Sequence, residues 1–179
     1  GLRVDHGDAR EAIDLACEAL NLNIRLIGEE LREVGINVNC LPILDTLFDD
    51  ADAIISDRSY GCNSKIISTL GRVACNSLLN AGVLPILKHI PGHGCSAADS
   101  HHEMPKVNLA FNKLNIIDFY PFKSTYSKLA MTAHILYSKI DSKNVSTRFD
   151  RRSCQGQNCN SARLWCYGKR YTKRRTSTD

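Results

Sequence analysis

The sequence predicts an α/β protein with parallel strands, and three observations carry that expectation. Stretches with apolar residues at helical spacing alternate with short apolar runs of strand type. The order strand, polar loop, helix, strand recurs at least twice, which is the pattern of parallel βαβ units. Polar residues collect at the C-terminal ends of the apolar runs, at Asp45, Lys88-His89 and His134, where (β/α)-barrel enzymes keep their chemistry. Composition agrees. With 43% hydrophobic and 23% charged residues the chain has the balance of a globular protein, which excludes wholesale disorder. Its 179 residues suit one domain, or one domain with a tail.

The elements follow in order. Asp8-Ala9-Arg10-Glu11 reads as a capping box ahead of Ile13, Ala16, Cys17, Leu20, Ile24, Ile27 and Leu31, and Gly35 is placed to stop that helix. Ile36–Leu44 reads as a buried strand ending at Asp45, followed by a polar loop through Asp57-Arg58-Ser59-Tyr60-Gly61. Asn63 or Ser64 caps a second amphipathic helix bearing Ile66, Ile67, Leu70, Val73, Ala74, Leu78 and Leu79, closed by Asn80-Ala81-Gly82. Val83–Leu87 is a strand closed by Lys88-His89, and Ile90–Val107 is a loop holding most of the histidines. A short helix is expected around Pro121–Lys128, then a strand around Leu129–Leu136. No run approaches the ~18 uncharged apolar residues of a membrane helix, since Lys88 and His89 cut Ile86–Ile90.

Charge and cysteine divide the chain unevenly. The net charge is +4, yet between Arg148 and Asp179 basic residues outnumber acidic ones by seven, so the remainder is acidic by three. Cys17, Cys40, Cys62, Cys75 and Cys95 are scattered, whereas Cys154, Cys159 and Cys166 crowd the tail. Scattered cysteines without an apolar leader point to free thiols in a cytoplasmic protein. The chain opens on Gly1 and not Met, as expected of one that begins inside something longer.

Five of the six histidines, His89, His93, His101, His102 and His134, fall in the strand ends and the Gly-rich loop. Zinc is one reading, but Pro91-Gly92 breaks any helix that would align His89 with His93, and no zincin-type Glu follows His89. Asp99-Ser100-His101 is the other: a carboxylate two residues away can hold the imidazole N–H, orient the ring and raise its pKa for proton transfer.

The run Lys88-His89-Ile90-Pro91-Gly92-His93-Gly94, with Asp99-Ser100-His101 and Pro105 after it, resembles the catalytic loop of the β-N-acetylhexosaminidases of glycoside hydrolase family 3. Leu41–Asp45, Asp57–Gly61 and Met131–His134 resemble further strand ends and the arginine loop of that family, in the same order, over Leu20–Thr147. The resemblance implies a partial (β/α)8 TIM-type barrel over residues 1–147, with 148–179 a disordered basic tail. It implies that His101 is the general acid/base, oriented by Asp99, where most glycosidases use a second carboxylate. Arg58, Lys88 and His89 would bind the hydroxyls of N-acetylglucosamine, with Asp45, His93 and His134 in support. The implied partner is an N-acetylglucosamine-containing oligosaccharide or muropeptide. No metal, cofactor, membrane or specific nucleic acid is expected, and Cys154, Cys159 and Cys166 lack a fourth zinc ligand.

Two parts of the family pattern have no match: the sugar-holding segment that would precede Gly1, and the nucleophile-bearing Ser-Asp-Asp strand end that would follow Thr147. Leu164–Arg170 can be encoded so that a one-base shift reads Tyr-Gly-Val-Met-Val-Ser-Asp, close to that strand, so an out-of-frame tail is expected. The alternative to a working hydrolase is a catalytically inactive remnant that binds sugar or polyanions weakly.

Overall fold

The computed structural model describes residues 6–47, 55–96, 105–133 and 135–140. Their order is α1 (His6–Glu33), β1 (Val38–Asn39), a 3-10 turn (Ser56–Arg58), α2 (Ser64–Asn80), β2 (Leu84–Ile90), β3 (Lys106–Val107), α3 (Phe111–Ile116), α4 (Phe119–Ser124), β4 (Leu129–Thr132) and β5 (Leu136–Tyr137). The described strands pair in parallel, in a three-stranded sheet ordered β1-β2-β4 and a two-stranded sheet of β3 and β5. The chain is thus α/β, as the alternation of patterns predicts.

Helix α1 begins at His6, so Asp8 lies inside the first turn and is not the N-cap. Its other end behaves as expected: Gly35 takes φ of +82°, and the Ile36 N–H returns 2.8 Å to the Leu31 carbonyl, satisfying a group the helix end would orphan. α1 lays Leu20, Ile24, Ile27 and Leu31 against Ala74, Leu78 and Val83. At the start of α2 the Asn63 side chain accepts from Lys65 N at 3.0 Å and Ile66 N at 3.3 Å, so Asn63 and not Ser64 is the cap. The other face of α2 buries Ile67 and Cys75 with Leu44, Leu87, Ile90 and Phe122, the core between helix and sheet.

The expected strand over Ile36–Leu44 survives only in part. Val38 and Asn39 pair with Leu84 and Pro85, and contact with β2 resumes at a bridge between Ile43 and Lys88. Pro42, in between, has no N–H to give and offers only its carbonyl, 3.2 Å from the Lys88 N–H. β2 runs three residues beyond Leu87, so Lys88 and His89 lie within the strand; the Lys88–His89 and Ile90–Pro91 peptides are cis. The helix expected around Pro121–Lys128 is α4, ending at Ser124, and α3 precedes it. The expected strand Leu129–Leu136 is two strands: β4 pairs with β2, and β5 pairs with β3 in the other sheet. A second core forms there from Val107, Leu114, Phe119, Ala133, Ile135 and Tyr137. Among the described residues no helix is long and apolar enough to cross a membrane. The expectations for residues 141–179, the basic tail included, lie outside the described residues.

Candidate active site

The site is built outward from Asp45. Because the Leu44 N–H donates to the Lys88 carbonyl at 2.8 Å, Asp45 is held level with the end of β2. Its side chain is fully buried, and three N–H groups converge on it. Oδ1 accepts from His93 N at 2.8 Å, Oδ2 lies 2.7 Å from His89 Nδ1, and His89 N is 3.3 Å from both oxygens. A carboxylate can only accept, so the proton sits on Nδ1 and Nε2 is left as the ring's other polar atom. His89 keeps 22% of its side chain exposed. The His93 ring lies edge-on to it, with centroids 6.2 Å apart.

The same residue anchors the arginine loop. Ser59 Oγ lies 2.8 Å from the Asp45 carbonyl, Gly61 N donates back to that Oγ at 3.2 Å, and Leu47 N donates to the Gly61 carbonyl at 2.9 Å. Arg58 ends the 3-10 turn with its side chain exposed. Lys88 is half-buried in β2. Asp45 therefore joins His89 and His93, at and just after the end of β2, to the loop that carries Arg58, and Lys88 precedes His89 in β2. Asp99, His101 and His134, the other residues singled out from the sequence, lie outside the described residues.

The structure adds a second buried carboxylate that sequence reasoning missed. Asp118 precedes α4, and an Asp before an apolar stretch with Pro in its first turn looks like an ordinary helix cap. It makes no side-chain cap bond. Its Oδ2 accepts from Cys95 N at 3.1 Å, while Oδ1 is buried without a donor. Burial pushes the Asp118 carboxyl up to about 6; hydrogen bonds from Cys95 oppose the rise, and the charge of Asp45 adds to it. Nearby, the Tyr137 hydroxyl donates to the Gly92 carbonyl at 2.6 Å, and burial raises its pKa further above the ordinary phenol value.

No three His, Cys, Asp or Glu side chains gather to hold a metal ion among the described residues. Cys17, Cys40, Cys62, Cys75 and Cys95 are free thiols, and burial pushes that of Cys75 up to about 12.

The geometry has relatives. Residues 14–154 match the model of the glycosyl hydrolase family 3 N-terminal domain. Beta-hexosaminidase A of Pseudoalteromonas piscicida is 38% identical over 123 residues, which is 66% of this chain and 21% of that protein. The family 3 β-N-acetylglucosaminidase of Paenibacillus sp. str. FPU-7 superposes with a TM-score of 0.70 at 34% identity, over 73% of this chain and 26% of that one. Native NagZ of Neisseria gonorrhoeae gives a TM-score of 0.70 at 27% identity, over 75% of this chain and 39% of that one. The chain spans well under half the length of each of these relatives. By the match of its residues 14–154, the chain belongs to the glycosyl hydrolase family 3 N-terminal domain family.

Proposed function

We propose that this chain carries the sugar-holding and acid/base part of a β-N-acetylhexosaminidase-type glycoside hydrolase, one that removes terminal β-N-acetylglucosamine from peptidoglycan fragments in the cytoplasm. One observation carries the reading: a fully buried Asp45 fixes the tautomer of His89, the backbone of His93 and the base of the arginine loop. Lys88 and one oriented imidazole then share the end of β2, and Arg58 adjoins Ser59, whose hydroxyl is bonded to the Asp45 carbonyl. Such a set suits hydroxyl groups, with charged donors and a ring nitrogen held in one state. The relatives named beta-hexosaminidase and β-N-acetylglucosaminidase support the substrate class, and the free thiols support the compartment.

In this reading Arg58, Lys88 and His89 hold the sugar, and Asp45, His93 and His134 hold them. His101, oriented by Asp99, protonates the departing oxygen and later takes a proton from water. No cofactor takes part. The carboxylate that attacks the anomeric carbon has no counterpart matched in Arg148–Asp179. Residues 1–147 form part of a (β/α)8 barrel, with 148–179 a separate basic tail. In support, Val38, Leu84, Leu129 and Met131 share the sheet face opposite the helices by register and stay exposed, as positions lining a barrel interior would in part of one.

Titration of the purified chain with N-acetylglucosamine, followed by amide chemical shifts, tests the reading. Saturable binding that glucose does not reproduce is expected, weakened roughly tenfold in Arg58→Ala and in Lys88→Ala. Identical responses to the two sugars, or full affinity in both variants, would overturn it. A chromogenic N-acetyl-β-glucosaminide is expected to show no steady-state turnover with this chain, because loss of one member of a catalytic unit costs several powers of ten.

A further inference from the structure

The loop from Gly92 to Cys95, which carries His93 and follows directly on His89, is fastened from three sides. Asp45 takes the His93 N–H, Tyr137 donates to the Gly92 carbonyl, and Asp118 takes the Cys95 N–H. The fit is close. Gly92 sits at φ of +135°, and a Cβ there would stand 2.6 Å from the Asp118 Cβ and 2.8 Å from its carbonyl oxygen. A Cβ on Gly94 would collide with the Thr46 carbonyl oxygen and stand 3.1 Å from Asp118 Oδ1. The loop is thus threaded between the segment after Asp45 and the residue before α4, through a gap only glycine fits.

We propose that Asp118 is a positioning residue for the sugar site, holding the Gly92–Cys95 loop so that His89 and His93 keep the orientation Asp45 gives them. The proposal rests on the sugar-site reading above. Its physical motive is the poor bargain Asp118 makes as a purely structural group. It is fully buried, one carboxyl oxygen has no donor, and the titratable side chains interacting with it among the described residues, Asp45, Cys95 and Tyr137, include a second carboxylate. Burying a carboxyl with half its lone pairs unmet costs free energy that an apolar residue would not. What Asp118 supplies in return is a fixed acceptor for the Cys95 N–H, two residues along the loop from the N–H that Asp45 holds.

Two measurements on Asp118→Ala and Asp118→Asn test this. Amide exchange reports the loop: in Asp118→Ala, Cys95 and His93 should exchange at least roughly tenfold faster while Leu78, in the α1–α2 core, changes less. In Asp118→Asn, which keeps an acceptor oxygen, both should stay near wild type. Affinity for N-acetylglucosamine should fall roughly tenfold in Asp118→Ala and recover in Asp118→Asn. If the Ala variant leaves too large a void to fold, Asp118→Val fills it without an acceptor and should show both changes. Exchange or affinity unchanged in the folded Ala or Val variant overturns the positioning role alone. A wild-type chain that binds no N-acetylglucosamine overturns the sugar-site reading and this role with it, and the two failures are told apart by that control.

Discussion

Asp45 and Asp118 are both fully buried aspartates gripping the same loop, yet their surroundings are opposite. Asp45 is met by two backbone N–H groups and an imidazole N–H. Asp118 is met by Cys95 alone, through its backbone N–H on Oδ2 and its thiol, and Oδ1 has no donor. The pair shows that burial alone does not decide what a carboxylate costs. Donors that converge on it compensate for lost hydration, and a missing donor leaves the cost standing. Asp45 is the solved half of the clamp, and Asp118 is the half that carries strain in its charge.

The largest way to break the comparison is Asp45→Ala. It strands the His89 ring and the N–H groups of His89 and His93, and should cost about 3–5 kcal/mol, read from the urea midpoint at constant m-value. An effect below about 1 kcal/mol would mean those donors find water and the clamp is loose.

A smaller effect separates the two carboxylates by pH. Asp118 has its folded pKa raised to about 6 from 3.8, so its contribution to stability is fully present below pH 4 and lost as pH rises through 6. Across that window the loss is about 3 kcal/mol, at 1.36 kcal/mol per pKa unit. Asp118→Asn cannot ionise, so its stability relative to wild type should improve by that amount between pH 4 and pH 8. Denaturation of both proteins at the two pH values cancels the titrating groups that do not interact with Asp118. A difference independent of pH would show that Asp118 is solvated or paired.

The smallest effect sharpens the picture of Asp45 as a hub. Ser59→Ala removes the hydroxyl shared by the Asp45 and Gly61 carbonyls and the Gly61 N–H, and should cost about 1 kcal/mol. The accompanying loss should be local, with faster amide exchange at Leu47 and Gly61 and none in α2.

Part of the site was legible before any coordinates. Asp45 and Lys88-His89 stand out because polar residues end apolar runs, and Arg58 and His93 through the resemblance; the structure ties Asp45 to the His89 ring, the His93 N–H and Ser59 beside Arg58. Asp118 and Tyr137 were not legible. Asp118 sits where a helix cap is the ordinary reading, and Tyr137 sits in an apolar run where an aromatic is ordinary core. Each acquires its role from a partner more than twenty positions away, Cys95 for one and Gly92 for the other. In the fold, the reach of the first strand was overestimated because alternation of apolar residues says nothing about a ladder broken at Pro42.

The sequence by itself determined the elements whose signals are local: the start of α2 at Asn63 or Ser64, the Gly35 stop, the apolar stripes of α1 and α2, and the polar ends of the strands. These follow from backbone chemistry and side-chain spacing within a turn or two. Only the tertiary structure decided that Leu129–Leu136 divides between two sheets, and that Asp45 and Asp118 both hold one loop. Those outcomes depend on which N–H groups packing leaves near a buried oxygen. That is a property of segments brought together by the core, and no local pattern encodes it.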